Sequence, residues 1–157
     1  MARKGTADKR SISPDRKFGS VLIQKLINKI MLCGKKTVAE RIVYDALETA
    51  SKKLGKEPID VFQTVIDNLS PMVQLRSRRI GGGNYQIPTE VSSDRKIILA
   101  MQWLVSSSRS RKGMPVSERL AAELIDAFNN TGGAIKKKEE THRMAEANRA
   151  FAHFARF

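Results

Sequence analysis

The chain has 157 residues, 41% of them hydrophobic, 29% charged and only 6% aromatic, which is the length and balance of one folded domain around a single core. Its 29 Lys and Arg against 16 Asp and Glu leave a net charge of +13, an excess that repels itself in a compact state and points to a polyanionic partner. No apolar run approaches the roughly 20 residues that span a bilayer, the N-terminus lacks the apolar stretch of a secretory signal, and Cys33, the one cysteine, excludes an internal disulfide or a cysteine zinc cluster. A cytoplasmic, reducing setting without membrane contact is expected.

The charge is uneven along the chain. Residues 1–36 carry ten basic and two acidic side chains and residues 70–112 carry eight and two, while the remaining segments are close to balance. The opening stretch, residues 1–19, is basic and poor in large apolar groups, so it reads as an extended tail ordered only against a partner. Leu22, Ile23, Leu26, Ile27 and Ile30 then repeat at helical spacing, with Gly34 as the stop, and Cys33 is expected as a small buried hydrophobe on a helix face. Thr37 to Glu40 has capping-box spacing ahead of a second helix with Ile42, Val43, Ala46, Leu47, Ala50 and Leu54 on one face. Pro58 suits the first turn of a third helix, whose inner face is Phe62, Val65, Ile66 and Leu69 and which Pro71 ends.

From Val73 to Val91 the apolar spacing shortens toward alternation around three glycines, the signature of a hairpin. A turn at Gly82 and Gly83 would pair Ile80 with Tyr85, Arg78 with Ile87 and Arg76 with Thr89. Neither face is purely apolar, so neither packs into a core without burying guanidinium groups, and the hairpin is expected to project as an arm ~20 Å long. A nucleotide-binding loop requires a glycine turn that opens into a helix. Here a second strand with Pro88 follows instead.

Ser92, Ser93 and Asp94 offer cap oxygens for a fourth helix through Ile97, Ile98, Met101, Leu104 and Val105, in which Trp103 reads as a packing residue, and the serine and arginine run 106–113 closes it. Pro115 begins a fifth helix with Leu120, Leu124, Ile125 and Phe128, ended near Gly132 and Gly133; a sixth runs from about Ile135 with Met144, Ala147 and Phe151 on its apolar stripe. The expected fold is therefore mainly α, a six-helix bundle-like core with a protruding two-stranded hairpin between the third and fourth helices and a basic N-terminal tail, all one domain over residues 1–157 whose charge suits nucleic acid. His142 and His153 stand too far apart for joint zinc ligation on one helix. Lys136 to Lys138, followed by Glu139 and Glu140, fit either a solvated helix face or an RNA contact. No metal site, cofactor loop or nucleophile with its base is recognisable, so no catalytic activity is expected.

The stretches "GKK" at Gly34–Lys36, "RSRRIGGGNYQIPTEV" at Arg76–Val91, "AMQWL" at Ala100–Leu104 and "THRMAEANRAFAHF" at Thr141–Phe154 closely resemble bacterial small-subunit ribosomal protein seven, end to end and in order. The resemblance implies a structural protein that binds the 3′ major domain of small-subunit ribosomal RNA directly, nucleates assembly of the subunit head, and lies at the subunit interface near the exit-site tRNA and the mRNA path. Ribosomal proteins nine and eleven would be neighbours, and in some bacteria a member represses its own operon. Carried onto this sequence, Arg3, Lys4, Lys9, Arg10, Lys35, Lys36, Arg76, Arg78, Arg79, Arg95, Lys96, Arg109, Arg111 and Lys112 would contact ribosomal RNA. Gly81, Gly82, Gly83, Asn84 and Tyr85 at the hairpin tip, with Arg143 and Arg149, would lie close to tRNA. Two rivals are a DNA-binding architectural protein with a β-ribbon arm and an RNA-modifying enzyme.

Overall fold

The computed structural model describes residues 11–156. Ser20 starts the first helix by accepting a hydrogen bond from the Ile23 amide at 3.5 Å. Among the described residues six α-helices follow, α1 (Val21–Ile30), α2 (Lys36–Leu54), α3 (Pro58–Leu69), α4 (Ser93–Ser110), α5 (Val116–Phe128) and α6 (Gly132–Ala147), with a hairpin of β1 (Val73–Ile80) and β2 (Gly83–Glu90) between α3 and α4 and a 3-10 segment, Arg149–Arg156, after α6. The mainly α architecture with its hairpin in that place is as expected.

The core forms because each helix places apolar side chains three and four residues apart on one face. Ile23, Leu26 and Ile27 of α1, Val43, Ala46 and Leu47 of α2, Val65 and Leu69 of α3, Leu104 of α4, and Leu120 and Leu124 of α5 are all fully buried in one cluster. Helix α5 touches α2, α3, α4 and α6 and is the centre of the assembly. Its C-terminal carbonyls, which a helix cannot satisfy by itself, are met across the fold: Asn68 Nδ2 donates to the carbonyls of Ala127 and Phe128 at 3.1 and 3.2 Å.

Several local expectations differ from what forms. Part of the stretch read as a free tail is folded: Asp15 is only 3% exposed, accepting from the amides of Phe18 and Lys17 and from the Tyr44 hydroxyl, and Lys17 pairs with Glu48 on α2. Helix α1 ends at Ile30, short of Gly34, so Cys33 is exposed in the following turn with a φ of 51° and is no core residue. Lys35 caps α2, and Thr37, already inside the helix, makes no capping box. Ser92 likewise caps α4 without a side-chain bond. Gly132 and Gly133 open α6 instead of closing α5, and Phe151 belongs to the 3-10 segment because α6 stops at Ala147. Trp103 packs against the core as expected.

The hairpin register also shifts. Ile80 pairs with Gly83, Arg78 with Tyr85 and Arg76 with Ile87, so the turn is Gly81-Gly82. A tight turn that matches strand twist needs positive φ at both central residues; Gly81 and Gly82 have φ of 55° and 89°, and Gly83 has already returned to strand geometry. The shift is by two positions, so each side chain keeps its expected face.

Candidate nucleic-acid interface

The hairpin backbone lies away from those of α1–α5 and rests on α6 and the 3-10 segment. Ile87 is buried, outside the main cluster, and the Tyr85 ring lies 5.0 Å from the ring of Phe151. At the base, His142 Nε2 accepts from the Met72 amide at 3.3 Å. Burial, and then Lys138, holds that imidazole below its ordinary pKa, which favours the neutral acceptor. The arm therefore projects from the core but is propped along the face that carries Tyr85 and Ile87.

Arg76, Arg78 and Arg79 are exposed on β1, the first two on the Tyr85 face and Arg79 on the opposite one. Burying these guanidinium groups without partners would cost several kcal/mol each, and strand alternation sends them to both sides of the ribbon. Arg95, in the first turn of α4, reaches back to β1 through its Nε, 3.5 Å from Gln74 Oε1, with Lys96 beside it in sequence. At the other end of α4, Arg109 donates to the Ile30 carbonyl at 3.1 Å, which brings it to the start of the turn that leads through Lys35 to Lys36, the first residue of α2. Lys35 and Arg109 line one shallow depression there.

Arg111 is differently occupied. Its Nε donates to Glu123 Oε2 at 2.8 Å and its Nη2 pairs with Asp126. Glu123, 1% exposed, also accepts from the Ala134 amide at 2.8 Å, so its carboxylate meets a free donor in the first turn of α6. Gly132 makes room for this node: a Cβ there would stand 2.8 Å from the Asp126 side chain. Lys112, next along, is exposed.

Of the residues expected near tRNA, the structure brings some together. Tyr85 at the tip meets the 3-10 segment that begins with Arg149, and Arg149 shares a depression with Pro88, Thr89 and His142. Arg143 sits apart, beside Lys136, Lys137 and Glu140 on α6. Lys137 pairs with Glu140 at 2.6 Å and Lys138 Nζ donates to the Asn68 carbonyl at 2.6 Å, so two of that lysine run serve the protein itself. Arg3, Lys4, Lys9 and Arg10 lie outside the described residues. Lys25 and Lys29, four apart on α1 and outside its buried face, add two cations that the apolar period of that helix does not signal but their own spacing does.

A helical core that holds out a basic ribbon, with further cations at both ends of the helix behind it, has the form of a protein that grips a polyanion. The profile of the family described as ribosomal protein S7p/S5e matches residues 2–149. The chain is 56% identical to small ribosomal subunit protein uS7 of Chloroflexus aggregans over 99% of each chain, and 53% identical to that of Roseiflexus sp. over the whole of both. The uS7 protein of Natranaerobius thermophilus is 53% identical over 98% of this chain. The chain belongs to the S7 family of ribosomal proteins.

Proposed function

We propose that this chain is a structural protein of the small ribosomal subunit that binds the 3′ major domain of its ribosomal RNA and nucleates assembly of the subunit head. The single observation that carries the reading is the hairpin: three arginines that the fold leaves exposed on both faces of a ribbon that touches the helical core through α6 alone among its helices' backbones. Planar guanidinium groups fork onto phosphate oxygens, and a folded RNA junction supplies phosphates on both sides of an inserted ribbon. Arg95 and Lys96 extend this surface at the base of the hairpin; Lys35, Lys36, Arg109 and Lys112 form a second group at the far end of α4. Arg111 acts on that group indirectly, by holding the α4–α5 turn through Glu123 and Asp126. The tip, Gly81 to Tyr85, and Arg149 form one tRNA-proximal unit joined by the Tyr85–Phe151 contact, with Arg143 as a separate contact. Ribosomal proteins nine and eleven and the mRNA path belong to the same reading, as neighbours in the assembled subunit. The work is architectural: cations neutralise phosphates and release counterions, so RNA segments that repel one another are held together.

The test replaces Arg76, Arg78 and Arg79 together by alanine and measures binding to a transcript of the 3′ domain, with circular dichroism as the control. Affinity is expected to fall by at least tenfold, on the order of 0.5 kcal/mol or more per lost phosphate contact, with helical content unchanged. Equal affinity for the variant would remove the hairpin from the interface. Equal competition by duplex DNA would favour the architectural DNA-binding alternative.

A further inference from the structure

Helices α1 and α4 come from the two most basic segments of the chain, and a concavity of about 700 Å³ opens between them. Its walls are two stripes at helical spacing: Val21, Lys25 and Lys29 along α1, and Ile98 and Met101 along α4, with Ile12 closing one side. Three large apolar side chains stand open to solvent here, Ile12 at 39%, Val21 at 41% and Ile98 at 43% exposure. Nothing in the helical packing requires this. The inward face of α1 is already formed by Ile23, Leu26, Ile27 and Ile30, and the stripe beside it is surplus to the core. An exposed apolar patch rimmed by polar groups marks a place where another molecule sits.

The rim identifies the chemistry. Lys25 and Lys29 stand on adjacent turns of one helix face, a spacing that places two ammonium groups along a single edge. Asn28 joins them on that edge; its Oδ1 accepts from Gln24 Nε2 at 3.0 Å, which fixes the amide with its NH₂ donors free for an outside acceptor. Asp94 is the acidic member of the wall. An apolar floor, a cationic edge and an amide donor match a nucleotide whose base has left its stack: the base has an apolar face and a polar rim, and the phosphates on either side are anionic. Single-stranded loops and bulges expose such bases, and they are the elements of RNA that proteins read individually. An acidic peptide would satisfy the lysines too, but Arg95 and Lys96 directly follow Asp94 in the first turn of α4, so both helices that wall the concavity carry cations suited to a phosphate backbone.

We propose that the α1–α4 concavity receives one unstacked base of small-subunit ribosomal RNA, with Lys25 and Lys29 holding the phosphates that flank it. The inference rests on the RNA-binding reading above and adds to it a base-reading subsite in a surface otherwise built from phosphate contacts. Val21 and Ile98 are its floor, and Asn28 reads the polar edge.

The experiment uses the full chain, a transcript of the 3′ domain, and two variants, Val21→Thr with Ile98→Thr, and Lys25→Ala with Lys29→Ala. The threonine pair keeps a β-branched side chain at two surface positions, one carbon shorter at Ile98, and leaves the buried faces untouched; its thermal midpoint is checked against the parent chain. It is expected to lose about tenfold in affinity, as two apolar contacts with one base are replaced by hydroxyl-bearing side chains, with the salt dependence unchanged, and to leave one base newly open to chemical modification while the backbone footprint persists. The alanine pair is expected to lower the slope of log affinity against log salt by about 1.4 to 1.8, two phosphates' worth. Parent-like affinity and an unchanged base footprint in the threonine pair would overturn the proposal. So would parent-like RNA binding combined with loss from assembled particles, which would make the groove a protein-docking surface. Failure of the parent chain to bind the transcript at any salt would instead sink the RNA-binding reading itself.

Discussion

Single residues decide more of this fold than their apolar character suggests. Glu123 is a buried acid on the central helix, and its carboxylate joins Arg111 from the end of α4 to the Ala134 amide at the start of α6. Its replacement by alanine strands an amide donor and leaves Arg111 with Asp126 alone; since Arg111 is partly exposed, a loss of about 2–3 kcal/mol is expected, below that of a fully buried pair. Urea denaturation checks this, and Glu123→Gln, which keeps an acceptor for Ala134, should lose less. Tyr44 gives a pH-dependent counterpart. Burial, and then its hydrogen bond to Asp15, pushes the phenol up to about 12, above the roughly 10 of an unfolded tyrosine. The native state therefore holds this proton more tightly than the unfolded state. The contribution is complete below about pH 10 and is lost as pH rises toward 12, so thermal midpoints should fall across that window. In Tyr44→Phe that part of the decline should vanish. Neither node was legible in the sequence: Asp15, the partner of Tyr44, sits in a charged stretch that composition marks as tail, and Glu123 lies at a helical position where acids are usually solvated.

At the scale of elements, what repeats was readable and what ends was not. The apolar stripes of α1 to α5 emerge from spacing alone because burial of one helix face is a periodic requirement. Ends are set by particular contacts. Helix α1 stops before Gly34, and Gly132 starts a helix because a close approach to Asp126, visible only in three dimensions, excludes a side chain there. The hairpin was legible through its glycines, but which two of the three make the turn depends on backbone φ. Its isolation was overstated by composition, since the C-terminal 3-10 segment supplies an apolar prop that no pattern within the hairpin announces. That prop is testable. Phe151→Ala removes the ring against Tyr85 and should release the tip at a cost of roughly 1 kcal/mol, an aromatic pair's worth. Hydrogen exchange at residues 80–85 should accelerate while amides in α2 and α5 keep their protection; faster exchange throughout would mean that the hairpin and the core unfold as one unit.

For the whole molecule, the surplus of +13 has opposite consequences for folding and for binding. In the free protein, the cations of α1 and of α4 are carried on neighbouring surfaces, because the two helices pack together. Their repulsion acts against the folded state. Salt screens exposed charges over about 10 Å at 0.1 M, so added salt should raise the thermal midpoint of the free chain. The exposed pairs Lys17–Glu48 and Lys137–Glu140 weaken under the same conditions, but such pairs contribute little, and the Arg111–Glu123 pair, largely out of solvent, is screened less. With RNA bound the sign reverses. Each neutralised phosphate adds about 0.7 to 0.9 to the slope of log affinity against log salt, so six or more contacts lower affinity by roughly a thousandfold or more between about 50 and 200 mM. A salt titration of the free chain by calorimetry, paired with one of the RNA complex by filter binding, should therefore give a rising midpoint and a falling affinity from the same cations. A midpoint that falls with salt would mean that ion pairing, and not repulsion, dominates the free protein, and that the cationic surface is satisfied internally instead of being held open for RNA.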